Sequence, residues 1–131
     1  MIYTATQINE SPTIIGKAGA SIATATDVRG KAIKFDAQGE LVLAGAGEVA
    51  VGIAVLTNDE ATTAGLDVTV QVKEMGVALA GGEIKAGAEL ASDASGKVVA
   101  ATAGQFVIGT ALESATAGKY VRIQITKYAK A

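Results

Sequence analysis

An all-β fold, a small pseudo-twofold barrel or sandwich, follows from three observations on this sequence. Apolar and polar residues alternate with a period of two, as in Val68-Thr69-Val70-Gln71-Val72 and Val121-Arg122-Ile123-Gln124-Ile125, the pattern of strands with one wet face. No stretch keeps a 3.6-residue period over three turns, so helices drop out of the reading. The chain also repeats itself. Phe35–Val55 (FDAQGELVLAGAGEVAVGIAV) and Ser92–Leu112 (SDASGKVVAATAGQFVIGTAL) share Asp-Ala-x-Gly, a short apolar run, a Gly, then apolar residues around a second Gly.

The repeat extends further. Lys17–Val55 lies over Glu74–Leu112 without a gap at a spacing of 57 residues, with Gly19/Gly76, Gly30/Gly87, Gly39/Gly96, Gly47/Gly104 and Gly52/Gly109 in register. Glycines recurring in register mean turns and bulges recurring in register. After a four-residue shortening, Thr63–Lys73 lies over Thr116–Thr126. The expected organisation is an N-terminal arm over residues 1–16 and one β domain over 17–131, with repeat one at 17–73 and repeat two at 74–126.

In chain order, strands are expected near 20–24 and 31–35, then the turn Asp36-Ala37-Gln38-Gly39, where Asp starts the turn and Gly takes positive φ. Strands near 40–44, 48–56 and 66–74 complete the first copy. Its extra residues fall at Asn58–Ala64 (NDEATTA), a surface excursion. The second copy gives strands near 76–80 and 88–92, the turn Asp93-Ala94-Ser95-Gly96, and strands near 97–101, 105–112 and 119–127.

Composition narrows the chemistry. Half the residues are apolar, yet Trp is absent and aromatics make up only 4%. Small side chains bury little area each, so a thin core of modest stability is expected, one that oligomerisation or docking on a larger body would reinforce. Histidine and cysteine are both absent, which removes Ser-His-Asp and Cys-His catalysis, disulfides and the usual zinc ligands. A net charge of -2 with scattered single charges gives no footprint for nucleic acid or for an anionic membrane. The first residues lack the basic and apolar blocks of a Sec signal, and no apolar run is long enough to span a bilayer as a helix.

Other motifs reduce to framework. Asp36 and Asp93 read as turn initiators in place of a carboxylate pair. Gly45–Gly52 (GAGEVAVG) runs into a strand, whereas a phosphate loop needs a following helix N-terminus. Lys73 in VKEMG sits at the end of an alternating strand, unlike the hairpin-tip lysine of biotin or lipoate carriers. No catalytic, cofactor-binding or metal-binding residue is expected, and no cofactor. Contacts are expected where the repeat leaves residues unexplained: Ile2, Tyr3, Ile8 and Pro12 in the arm, as a strand that adds to a neighbour's sheet edge, and Asn58, Asp59 and Glu60 in the loop.

The order of Gly19–Val55, Ala64–Ala101 and Gly104–Ile125 resembles the capsid cement, or head-decoration, proteins of tailed bacteriophages with HK97-type shells, over about residues 13–126. The resemblance implies a small β-rich protein of the virion's outer surface, made in the bacterial cytoplasm. It implies binding to the major capsid protein after expansion and clamping of neighbouring subunits, as a homotrimer. The alternatives are a β module of a tail tube, spike or adhesin, and, further off, a cofactor carrier or enzyme.

Overall fold

The computed structural model describes residues 11–131, and among them every regular element is a strand. The strands are β1 (Thr13–Lys17), β2 (Ala32–Phe35), β3 (Leu41–Leu43), β4 (Gly52–Ala54), β5 (Asp67–Gln71), β6 (Met75–Leu79), β7 (Glu89–Ser92), β8 (Val98–Ala100), β9 (Phe106–Ala111) and β10 (Tyr120–Ala129). They form two antiparallel five-stranded sheets, ordered β1-β5-β4-β2-β3 and β6-β10-β9-β7-β8. The orders coincide when β1 is set on β6, β5 on β10, β4 on β9, β2 on β7 and β3 on β8.

Each sheet is rolled and closed on itself. A parallel bridge, Ala18 to Leu41 in the first and Ala80 to Val98 in the second, joins the end of the first strand to the last. The result is two small barrels in tandem, here barrel one and barrel two. Alternation fills the interiors: Val68 and Val70 of β5 point into barrel one, and Val121, Ile123 and Ile125 of β10 point into barrel two, all buried. One core gathers Ile22, Val28, Ile33, Leu41, Val68 and Val70. The other centres on Ile84, Leu90, Val98, Ile108 and Ile123 and takes in Ala32, Ala44, Ala50 and Ile53 from barrel one, so it spans the junction. Each such aliphatic chain contributes roughly 1.5–3 kcal/mol on full burial.

The Asp turns are built alike. Asp36 Oδ1 accepts the Gln38 and Glu40 N–H groups, both at 2.9 Å, and Asp93 Oδ1 accepts those of Ser95 (2.9 Å) and Lys97 (3.0 Å). Gly39 and Gly96 follow with φ of 77° and 85°.

Four expectations change. Thr13–Gly16, assigned to the arm, lie in β1, which pairs with β5 from Thr13↔Gln71 to Lys17↔Asp67. No strand forms at 20–24. Those residues wrap over the end of barrel one, and Ile22 plugs its core from the loop, its carbonyl accepting the Ala64 N–H at 2.7 Å. The strand expected at 48–56 shrinks to Gly52–Ala54, because the chain before it swings across to barrel two. Finally, Gly19 corresponds to Gly81, not Gly76. Gly19 N–H bonds the Leu41 carbonyl and Gly81 N–H the Val98 carbonyl, and a methyl at either glycine would meet the following turn's Asp carboxylate. The β1–β2 loop is therefore longer than the β6–β7 loop, and the ungapped register holds only from about Gly30 onward.

Candidate interaction surface

The sequence-derived contact residues separate into distinct roles. Ile2, Tyr3 and Ile8 lie outside the described residues. Pro12 is half-buried, and its carbonyl accepts the Val72 N–H at 2.8 Å, fixing the point where the chain enters β1. Asn58 is a framework residue: Nδ2 donates to the Val55 (2.9 Å) and Thr69 (2.8 Å) carbonyls, and Oδ1 accepts the Thr69 N–H (2.9 Å). It stands in for a strand neighbour at the end of β5. Asp59 and Glu60 are exposed beyond it. Glu60 reaches Arg29 at 3.2 Å, beside the closer Asp27–Arg29 pair at 2.9 Å. Arg29 holds the Asp27 carboxyl below its ordinary range, mainly through that side-chain bond.

Sequence reasoning missed a second surface. Phe35, at the end of β2, and Val49, in the β3–β4 loop, are 50% and 68% exposed. With Lys34, Glu48, Ala50 and Val51 they line a shallow depression of about 710 Å³. Its polar flank is organised. Lys34 Nζ bonds both Glu48 oxygens, at 2.9 and 3.0 Å, and Glu48 also accepts the Gly45 N–H, so the Glu48 carboxyl sits below its ordinary value. Phe35 occupies the place of Ser92, which is buried, and Val49 that of Phe106, which is half-buried.

A narrower groove, about 280 Å³, runs between the barrels and is lined by Ile53, Val55, Leu56, Gln71, Met75, Gly76 and Val77. A third concavity, about 480 Å³, opens at barrel two beside Lys85, Lys119 and Tyr120. The latter is also lined by Glu83, Ser114 and Thr116, and the Ser114 hydroxyl accepts the Ala86 N–H at 3.1 Å. Among the described residues no three acidic side chains converge as metal ligands.

Two barrels, an apolar depression with a charged flank and the exposed acids Asp59 and Glu60 are the surface features of the described residues. The chain belongs to the phage cement protein family, whose model matches residues 29–125. That places it among the capsid-associated structural proteins of bacteriophages. No curated protein matches the sequence. Among solved structures, the chain is similar to the N base of the head fiber protein gp8.5 of bacteriophage phi29, with 23% identity, a TM-score of 0.66, and coverage of 87% of this chain and 94% of that one. At that identity the likeness concerns the fold.

Proposed function

We propose that this protein is a capsid decoration protein that binds the outer surface of the expanded phage head and clamps neighbouring major capsid subunits, as a homotrimer. The observation that carries the reading is the cement-family match over residues 29–125. The physics is compatible with it. A clamp needs a rigid body, which two closed barrels supply, and surfaces for several partners at once. The arm before Pro12, with Ile2, Tyr3 and Ile8, adds to a sheet edge of the shell, and Asp59 and Glu60 contact it from the loop rim. Binding only the expanded state stabilises that state by mass action.

The test is addition of the purified chain to expanded, undecorated capsids of the parent phage. Saturable binding and a higher rupture temperature are expected. Absence of binding refutes the proposal, and a reconstruction of the decorated particle locates the contact.

A further inference from the structure

The junction between the barrels is directional. Barrel one contributes the Gly30 carbonyl, which accepts the Leu79 N–H at 2.7 Å, and the Gly45–Gly47 loop. That loop sits on Ser92 and Phe106. Gly47 N–H donates to the Ser92 carbonyl (2.9 Å), Phe106 N–H to the Gly47 carbonyl (3.1 Å), and Ser92 Oγ to the Gly45 carbonyl (2.6 Å).

The strand correspondence sets Gly30 on Gly87, Gly45 on Thr102, Gly47 on Gly104, Ser92 on Phe35 and Phe106 on Val49. A reciprocal junction would bring Gly104 onto Phe35 and Val49. It does not: a methyl at Gly87 or Gly104 would meet nothing within 4 Å, whereas at Gly30 it would meet Tyr120 at 2.9 Å and at Gly47 it would meet Gln105 at 2.8 Å. Barrel one therefore carries an unused version of the seat, and barrel two an unused version of the loop.

We propose that a second copy of this chain fills the empty seat. Its loop at residues 101–105 docks on Phe35 and Val49 of the neighbour, repeating between copies the contact that joins the barrels within one. The Val49 N–H, counterpart of the donor on Phe106, takes no backbone partner among the described residues and meets the Gly104 carbonyl in this arrangement. Two differences loosen the contact relative to the internal one. Phe35 offers apolar area where Ser92 offers a hydroxyl, and the Gly104 N–H already donates to the Lys130 carbonyl at 3.0 Å. A head-to-tail contact closes into a ring when the rotation per copy divides a full turn. The inference deepens the trimeric reading above and rests on it, since a trimer is such a ring.

The chain has no cysteine, so a Phe35→Cys/Thr102→Cys variant of the full chain reports the contact directly. Mild oxidation is expected to give covalent species larger than dimers, with a 35–102 link between chains; each single variant is expected to stop at dimers. Val49→Glu is expected to weaken self-association at least about tenfold by sedimentation, with circular dichroism unchanged. A wild type that is trimeric, stays trimeric with Val49→Glu and forms no link between chains overturns this interface and leaves the trimer standing. A 35–102 link within one chain overturns it too. A wild type that remains monomeric both free and on capsids overturns trimer and interface together.

Discussion

Gly52→Ala is the sharpest test of the barrel packing. A methyl at Gly52 would lie 1.9 Å from the Gln71 carbonyl oxygen and 3.0 Å from Val70 Cγ1. A tolerable C···O contact is roughly 3.3 Å, so β5 would have to retreat by about 1.4 Å. It is held on both sides, since Gln71 pairs with Thr13 of β1 and with Ile53 of β4. Overpacking of this kind costs roughly 1–3 kcal/mol, and a broken ladder bond adds about 1. At roughly 4 °C per kcal/mol for a domain of this size, Tm should fall by about 8–16 °C. The control is Gly39→Ala, at φ 77° with open space around it. Only the left-handed backbone is then penalised, about 1 kcal/mol. Thermal unfolding followed by circular dichroism compares the two. If Gly52→Ala melts within a few degrees of Gly39→Ala, the close approach of β4 to β5 does not exist. Gly109→Ala repeats the experiment in barrel two, where the methyl would meet the Gln124 carbonyl.

Asn58→Ala removes the acceptor of the Thr69 N–H and one of two donors to the Thr69 carbonyl, which keeps the Val55 N–H at 3.1 Å, and a loss of about 1–2 kcal/mol is expected from the urea midpoint at constant slope; a loss under about 0.5 would mean that water replaces the side chain. Acid sensitivity follows from Glu48, Glu89, Glu113 and Asp27, whose carboxyls are held below their ordinary values chiefly by bonds to Lys34, Lys130, Arg122 and Arg29. A depressed folded value means that each contribution is complete above the ordinary values of 4.5 and 3.8 and is lost as pH falls through the folded ones. Tm should therefore decline below about pH 4.5, and Glu48→Gln with Glu89→Gln should shallow the decline; a Tm that rises on acidification contradicts the pairing. Removing Met1–Glu10 should leave melting unchanged and lower capsid occupancy. Unaltered occupancy would end the arm's proposed role.

What the sequence made legible was whatever depended on local chemistry. Period-two alternation located β5 and β10, because each lays Val or Ile on a closed interior, and Asp-x-x-Gly marked the turns before β3 and β8. Ile22 was misplaced because a buried aliphatic in a run of small residues reads the same on a strand as on a loop that plugs a barrel end. β1 was missed because Pro12 and the polar run before it look like a hinge, while pairing with β5 is a long-range fact. The apolar seat was invisible for another reason. Phe35 and Val49 are ordinary strand-type residues, and only tertiary structure reveals that Ser92 is buried and Phe106 half-buried while they are exposed.

The closed topology also constrains how such a chain can grip a shell. The bridges Ala18–Leu41 and Ala80–Val98 bring the first and last strands of each sheet together at one end. In the proposed role, contact is assigned to loops and to the segment entering β1 at Pro12, each of which is small. Small contacts suffice for a clamp if they act together. Linked sites raise effective concentration, so a ring of copies binds far more tightly than one copy does. Each occupied site at a free concentration about 100-fold above its Kd adds roughly 2.7 kcal/mol to the state that is bound. Summed over a shell, that outweighs any single interface this surface can offer. In the proposed ring, a thin Ala- and Val-rich core and a weak, repeated, head-to-tail seat would be consistent parts of one design, with stability supplied by the assembly.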